Sequence, residues 1–261
     1  MSFDVAANSY GRFMGRYSEP LAESFVVLIG TRLGQRALDV GAGPCALTAR
    51  LVERLGTAEV CAIEPSAPFA LALQARLPGV EVRQATAESI PFPDRSFEVT
   101  VAQLVVHFMA DPVGGLTEMA RVTVVGGTVG ASVWDYQGER GPLSLFWRAA
   151  RDLAPGVEDE SGLAGARQGN LHELFVAAGM RKVRDGALRV RVPYSDLDDW
   201  WEPYTLGVGP ARAYVAELDK DHRAALRERC GELLGTGPGI VEATAWYALG
   251  TPDDGSAGSR P

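Results

Sequence analysis

Short apolar runs alternate with helical stripes along the first half of the chain. Each run is bounded by Gly, Pro or charged residues and has the length of a buried strand. The stripes between them repeat apolar residues every three to four positions, as at Leu47, Leu51 and Leu55, which is typical of helices. Strands alternating with such helices predict βαβ units on a parallel sheet with helices on both faces. The predicted strands are 36–40, 59–63, 80–84, 96–104 and 127–134, and the predicted helices are 44–55, 66–76 and 112–122.

The two ends of the chain are less regular. Before the first strand, Ser18 is predicted to cap a helix that carries Pro20 in its first turn and ends near Gly30. After the fifth strand, the sequence predicts further helices and two extended segments, 182–192 and 240–249. The predicted parts of the chain are N-terminal helices 1–35, a core 36–137, a cap insertion 138–169, a C-terminal part of the sheet 170–250 with a helical insertion 195–236, and a disordered tail 251–261.

Composition narrows the possible partners. The 261 residues are 46% hydrophobic and 22% charged, as is usual for a soluble globular protein. The formal net charge of −8 disfavours nucleic acid or an anionic membrane as a partner, because both attract clustered positive charge. Three cysteines without a CxxC pair predict neither a disulfide framework nor a structural zinc site. The chain shows no secretion-signal pattern and no apolar run of about 18 residues, so we expect a cytoplasmic protein.

The strongest chemical signal is the segment LDVGAGPCA, in which the first strand meets a glycine turn and a new helix. Gly41 and Gly43, with Ala42 between them, let the backbone approach a ligand closely and adopt positive φ. The first turn of the helix presents unpaired N–H groups at the same place. A tight turn that binds nothing is the alternative interpretation.

A second signal is Glu64, which follows the second strand 21 residues after Gly43. A carboxylate there is placed to accept hydrogen bonds from both ribose hydroxyls of a nucleoside, although a solvated loop acid would give the same pattern. Asp39 separates two classes of ligand. It is a poor neighbour for the pyrophosphate of a dinucleotide, whereas S-adenosylmethionine carries a sulfonium and an ammonium that suit an acid.

A third segment, ATAESIPFPDRSFEV, completes a combination with LDVGAGP before it and HFMADP after it. With these three segments, residues 36–135 resemble the class I S-adenosylmethionine-dependent methyltransferases, in particular the methyltransferase type 11 group related to ubiquinone and menaquinone biosynthesis. The resemblance implies an α/β fold: a Rossmann-like, mostly parallel sheet of seven strands with helices on both faces and helical cap insertions. It also implies that the final strand, 240–249, is antiparallel, and that the cofactor is S-adenosylmethionine.

The resemblance further assigns residues to parts of the cofactor. It implies that Tyr10 and Arg16 lie near the cofactor carboxylate in an N-terminal lid, although ordinary helix packing explains them equally well. Two positions depart from the family: Cys45 replaces a frequent third glycine, and Thr86 replaces an Asp that accepts from the adenine amine. The remaining implied cofactor-binding residues are Asp39, Gly41, Ala42 and Gly43 in the first motif, Glu64, Pro65 and Ser66 beside the ribose and adenosine, Ala87 and Glu88 along the adenine, and Gln103 and Leu104 near the methyl group.

Methyl transfer is an in-line displacement that depends mainly on holding donor and acceptor in line and excluding water. A base helps when the acceptor is a hydroxyl or an amine. Among three histidines, His107 follows the fourth strand on the side where the methyl group should emerge, so it is the candidate base. A structural histidine is the alternative.

The acceptor is predicted to be a small molecule bound by aromatic residues, and the protein to be a monomer or a homodimer. Asp111 and Asp135 lack suitably spaced partners, so we expect chemistry without a metal. Two other functions stay open: a non-catalytic S-adenosylmethionine-binding protein, and an NAD(P)-dependent reductase, since GAGPCA also fits GxGxxA. Asp39 and the lack of a Tyr-x-x-x-Lys pair argue against the reductase. The candidate substrate-binding residues are Trp134, Trp147, Trp200, Trp201 and Tyr204.

Overall fold

Seven strands form one sheet in the order β3-β2-β1-β4-β5-β7-β6. The computed structural model describes residues 11–205 and 209–253. Only β7 runs against its neighbours, pairing antiparallel with both β5 and β6. The predicted seven-stranded, mostly parallel α/β sheet with a final antiparallel strand is therefore confirmed. The strands are β1 (Ala37–Val40), β2 (Val60–Ile63), β3 (Glu81–Arg83), β4 (Phe97–Gln103), β5 (Thr123–Trp134), β6 (Arg181–Tyr194) and β7 (Gly239–Thr251).

The strand order reverses at β1, which pairs with β2 on one side and with β4 on the other. All four residues of β1 and all four of β2 are buried, as expected of strands inside a parallel sheet. In such sheets, ligands bind beyond the carboxyl ends of the strands where the order reverses. The segments after β1, β2 and β4 meet at this point.

Nine α-helices occur within the described ranges, and none of them is long and apolar enough to cross a membrane. The helices are α1 (Arg16–Ile29), α2 (Ala46–Leu55), α3 (Ala67–Arg76), α4 (Pro112–Val122), α5 (Ser144–Leu153), α6 (Asn170–Ala177), α7 (Leu197–Trp201), α8 (Gly209–Glu217) and α9 (Lys220–Leu234).

The start of α1 corrects a prediction. Ser18 does not cap this helix but lies buried inside it, because a π-helical turn at Gly11–Gly15 leads directly into Arg16. Phe13, Met14 and Tyr17 extend the buried stripe toward the N-terminus, so the apolar face begins before the serine. Pro20 therefore lies inside the helix.

Two strand boundaries also differ from prediction. β5 starts at Thr123, four residues earlier than expected, because the pair Gly126-Gly127 interrupts the apolar pattern without ending the strand. Thr251 belongs to β7, so the disordered tail cannot begin there as predicted. Residues 254–261 of that predicted tail lie outside the described residues.

Candidate cofactor and acceptor site

The turn after β1 has the backbone geometry that its glycines permit. Gly41 and Gly43 have φ values of +68° and +54°, in the left-handed region that favours glycine. A Cβ on Gly41 would lie 2.6 Å from Val105 Cγ2, whereas a Cβ on Gly43 would meet nothing within 4 Å. Gly41 therefore permits close packing against the segment after β4, and Gly43 leaves open space beside the turn.

Cys45 occupies the position where the family often has a third glycine. Its φ is +91°, so it adopts the left-handed conformation that a glycine would adopt there. Its N–H donates to the carbonyl of Ala42 at 3.1 Å and closes the turn. The turn is thus kept with a cysteine, at a conformational cost of about 1–2 kcal/mol.

Glu64 lies directly opposite the glycine turn. Its Oε2 accepts from the Gly43 N–H at 2.8 Å, and its Oε1 accepts from the Ser66 N–H at 2.8 Å. Burial raises the pKa of this carboxyl group, and the two backbone hydrogen bonds lower it in part. Each oxygen keeps a free lone pair, so both remain able to accept from a ligand hydroxyl.

Asp39, in β1 just before the turn, is 1% exposed. The Thr48 hydroxyl donates to its Oδ2 at 2.7 Å. Burial raises the pKa of Asp39 to about 7, and the nearby Glu64 adds to the rise. Among the described residues, no cationic side chain offsets this burial.

These groups border a cavity of about 250 Å³ at the carboxyl ends of the strands, here called the sheet cavity. Its lining includes ten of the residues that the resemblance assigned to the cofactor: Asp39, Gly41, Ala42, Gly43, Glu64, Pro65, Ala87, Glu88, Gln103 and Leu104.

Three assigned residues are not part of that lining. Ser66 contributes its backbone N–H to Glu64 instead. Arg16 lies elsewhere, donating to the backbone oxygens of Pro193 at 2.9 Å and Asp199 at 3.0 Å. Tyr10 is outside the described residues.

The sheet cavity also includes residues that the sequence did not single out. Ser18 reaches it because α1 packs across the end of β4, where the Gln103 side-chain amide donates to the Ser18 carbonyl at 3.0 Å. The Ser18 hydroxyl and Gln103 Oε1 are buried and have no hydrogen-bond partner among the described residues. Phe69, Phe108 and Met109 add apolar walls. The only signal for these three was their place in segments directly after β2 and β4.

A second, smaller cavity of about 30 Å³, here called the inner cavity, adjoins the first, since Leu104 and Phe108 line both. The other residues that line the inner cavity are Phe13, Met14, His107, Trp134, Tyr136, Leu143, Glu160, Gly209 and Pro210.

His107 lies in the wall of the inner cavity and is 7% exposed. Burial lowers the pKa of its imidazole to about 3, so the ring is neutral at pH 7 and is a weaker base than expected. Its Nδ1 has no hydrogen-bond partner among the described residues. Its ring centre lies 3.9 Å from that of Phe108 and 5.8 Å from that of Tyr136. Its role as a base stays a prediction.

Glu160 is the acid of the inner cavity, and sequence reasoning missed it. The residue is 4% exposed, and its Oε2 accepts from Trp147 Nε1 at 2.7 Å. Burial raises the pKa of this carboxyl group to about 7. It lies in the cap insertion, where no spacing or motif marks one acid among several.

The five candidate substrate-binding aromatics separate into two groups. Trp134 lines the inner cavity. Trp147 does not line it, but its indole N–H donates to Glu160, which does. Trp200, Trp201 and Tyr204 line neither the sheet cavity nor the inner cavity, since they pack with Phe146 in a buried aromatic cluster. Helix packing explains these three positions.

Comparisons with protein families and with curated relatives show which proteins this chain is similar to. Residues 38–130 match a family described as methyltransferase domain. An uncharacterized methyltransferase of Mycobacterium tuberculosis is 37% identical over 140 residues, 54% of each chain, so this chain spans about half the length of such curated relatives. The malonyl-[acyl-carrier protein] O-methyltransferase of Erwinia billingiae is 31% identical over 128 residues, 49% of this chain and 50% of that protein.

A solved structure extends the likeness beyond the matched segment. The YcgJ protein of Bacillus subtilis aligns with a TM-score of 0.59 over 91% of this chain and 99% of its own, at 16% identity. This likeness concerns the fold alone. Residues 38–130 therefore resemble a methyltransferase domain, and the chain shares its fold with solved proteins that include an S-adenosylmethionine-dependent methyltransferase.

Proposed function

We propose that this protein transfers a methyl group from S-adenosylmethionine to a small-molecule acceptor. The observation that carries the proposal is the pair of buried carboxylates, Asp39 and Glu64, on the wall of the sheet cavity where the strand order reverses. Buried charges in proteins are normally paired, yet no cationic side chain offsets the burial of either one within the described residues. A ligand with positive charge and two hydroxyl donors would satisfy both.

The other groups of the cavity suit the same ligand. The hydroxyl of Ser18 and Oε1 of Gln103 are buried without partners among the described residues, so they are available to a polar ligand. The open space beside Gly43 admits a ligand against the backbone of the turn. The residues present therefore fit S-adenosylmethionine, whose sulfonium supplies an activated methyl group that an acceptor takes as the carbon–sulfur bond breaks and the electron pair goes to sulfur.

Each residue then has a distinct part in binding. Glu64 accepts from the ribose hydroxyls while Gly43 and Ser66 fix its orientation. Asp39 supplies the negative charge behind the amino-acid part of the ligand. Leu104, directly after β4, lines both cavities and would border the place of transfer, and Gln103 lines the sheet cavity beside it.

A small acceptor is supported by the dimensions and the charge of the site. The inner cavity is about 30 Å³ and adjoins the sheet cavity through Leu104 and Phe108. The net charge of −8 argues against nucleic acid as the acceptor.

Calorimetric titration of the purified protein with S-adenosylmethionine, S-adenosylhomocysteine and NADH tests the proposal. We expect both adenosyl compounds to bind and NADH not to bind. Glu64→Ala should weaken binding by at least about 100-fold, because two hydrogen bonds to a charged group are lost and each contributes about 1.5–3 kcal/mol. Glu53→Ala, which removes an exposed acid paired with Arg50 on α2, should leave the affinity unchanged.

Binding of NADH, or equal binding by wild-type protein and Glu64→Ala, would overturn the assignment of the cavity. Transfer is followed separately with methyl-labelled S-adenosylmethionine and a panel of small acceptors. Tight binding without any transfer would instead favour a non-catalytic binding protein.

A further inference from the structure

Glu160 is a buried acid in the wall of the inner cavity. It accepts a hydrogen bond from the neutral indole of Trp147, and the charged group that affects its pKa is Asp159, which repels it. Asp159 itself pairs with Arg151, so that arginine is already engaged. No Lys, Arg or His within the described part of the chain forms an ion pair with Glu160.

Asp135, close by in the chain, shows what a structural buried acid looks like in the same protein. It is 1% exposed, and it pairs with Arg140 Nε at 2.5 Å. Its Oδ1 also accepts from Gly138 N–H at 2.9 Å and from Trp246 Nε1 at 3.0 Å. The fold therefore supplies a cation where a buried acid serves stability, and it leaves Glu160 without one.

The remaining wall of the inner cavity is suited to a cation. Phe13, Trp134, Tyr136 and Phe108 present aromatic rings around a space that Glu160 borders. Ring faces attract alkylammonium groups, and the attraction is strongest where water is excluded. A volume of about 30 Å³ admits a group of one or two water-sized atoms, so it fits the head of a ligand and not the whole of it.

We propose that the inner cavity binds the ammonium group of a small amine, that this group pairs with Glu160, and that the amine is the methyl acceptor. This inference rests on the proposed function and specifies its substrate class. Leu104 and Phe108 line both cavities, so an amine nitrogen held here lies next to the cavity of the methyl donor. Nδ1 of the neutral His107, which has no hydrogen-bond partner among the described residues, is available as a second acceptor of an ammonium hydrogen.

The protons balance in this arrangement. The bound ammonium gives one proton to the Glu160 carboxylate and becomes a neutral amine with a free electron pair. That pair forms the new nitrogen–carbon bond as the methyl group leaves sulfur, and the nitrogen becomes positively charged again. Glu160 later releases its proton to solvent, and the methylated ammonium departs.

The pKa of Glu160 suits its use as the proton acceptor. Burial raises the pKa of Glu160 to about 7, close to what a proton acceptor needs at neutral pH. The groups around it are the indole of Trp147 from α5, the imidazole of His107 after β4, the adjacent Asp159, and the phenols of Tyr136 and Tyr204. Arg151 and Glu139 line a small cavity together with Glu160, and Arg151 pairs with both Asp159 and Glu139. His107 stays neutral in this range, so Glu160 is the group that titrates.

The test compares amines with alcohols of the same shape, by calorimetric titration of protein saturated with S-adenosylhomocysteine at pH 8. The probes are ethylamine with ethanol, and 2-phenylethylamine with 2-phenylethanol. We expect each amine to bind at least ten-fold more tightly than its alcohol. Glu160→Gln should remove that difference and leave S-adenosylhomocysteine binding intact. Glu158→Gln, an exposed acid in the same loop, should behave as wild type.

A second measurement needs no variant. Titrating ethylamine at pH 7 in phosphate and in MOPS, which differ in ionisation enthalpy and contain no primary amine, reports proton release. Pairing with an ammonium favours the ionised form of Glu160, so about half a proton should leave per amine bound, and none per ethanol.

Amines that bind no better than alcohols, amine binding that survives Glu160→Gln, or amine binding without proton release would overturn the proposal. So would the failure of both amines to bind protein that does bind S-adenosylhomocysteine. A protein that binds neither amine nor S-adenosylhomocysteine would instead contradict the proposed function itself.

Discussion

The sheet cavity and the inner cavity each contain a buried carboxyl group whose burial is offset by no cationic side chain in the described part of the chain, but they are built in different ways. Asp39 belongs to a short segment that also supplies the glycine turn, and apart from Ser18 of α1 the other walls follow β2, β3 and β4. The inner cavity draws its walls from six separate places along the chain, from Phe13 to Pro210. The first is a property of the parallel sheet, and the second is a property of how the cap packs on it.

On the proposed function, the sheet cavity binds the methyl donor and the inner cavity selects the acceptor. A site at the reversal of strand order comes with the fold and suits a common cofactor. A cavity assembled from the cap changes with a few substitutions, since its walls are side chains of helices and loops. On the same proposal, the positively charged group of each ligand would bind beside the buried acid of its cavity, Asp39 or Glu160.

The largest expected effect is on the free energy of unfolding, which should change in opposite directions when Asp135 and Glu160 are replaced by their amides. Asp135→Asn should lower the free energy of unfolding by about 3 kcal/mol, because it removes the ion pair of the buried Asp135 with the half-exposed Arg140 and sets an amide donor against the Arg140 donor. Glu160→Gln should raise it by about 2 kcal/mol at pH 8.5, because it removes a buried charge and can keep an oxygen for Trp147. Urea unfolding of the three proteins measures both changes.

The sign of the second change depends on pH. The folded-state pKa of Glu160 is raised from 4.5 to about 7, so the folded protein binds this proton more tightly than the unfolded chain does. That contribution to stability is complete below about pH 4.5 and is lost as pH rises through 7. The gain from Glu160→Gln should therefore shrink toward zero at pH 5, and a gain independent of pH would contradict this account.

A smaller effect concerns the affinity of the sheet cavity for its cationic ligand. Burial raises the pKa of Asp39 to about 7, and only the ionised form attracts a positive ligand. Affinity for S-adenosylmethionine should therefore fall about ten-fold from pH 8 to pH 6. Glu64, whose pKa is also raised, acts in the same direction. Calorimetry at several pH values gives the slope.

Asp39→Asn provides the control for that slope. The amide keeps an oxygen for the Thr48 hydroxyl but cannot ionise, so the variant should bind weakly with a flatter pH dependence. An unchanged slope in Asp39→Asn would assign the titration to Glu64 alone.

The sheet cavity could be predicted from sequence because its chemistry is local. A buried strand, a glycine turn and an acid after the next strand are each visible within a few residues, and the sheet brings strand ends together without further information. Ten assigned residues line the cavity for that reason. Ser18 could not be found in this way, because its place depends on how far α1 extends toward the N-terminus.

The inner cavity could be predicted only in part. His107 and Trp134 were candidates and line it, whereas nothing local distinguishes most of its other residues. Glu160 resembles its neighbours Glu158 and Asp159 in sequence, and only tertiary packing buries it beside Trp147. The same limit affected Trp200 and Trp201, since an aromatic residue in a helix serves a pocket or a core equally well. Whether such a residue lines a pocket or packs in a core depends on which face of its helix contacts another element.

The smallest expected effect is that of Tyr204→Phe, which tests whether Tyr204 packs in a core or contacts the acceptor. Its ring stacks on Phe146 with centres 4.7 Å apart, and its hydroxyl is buried without a partner among the described residues. Tyr204→Phe keeps the ring and removes an unsatisfied group, so the free energy of unfolding should change by less than about 0.5 kcal/mol. Phe146→Ala, which removes the stacked ring, should cost about 3 kcal/mol and shows that the assay resolves packing. If Tyr204 contacts the acceptor instead, Tyr204→Phe would lower methyl transfer at unchanged stability, and the boundary of the acceptor site would move into the aromatic cluster.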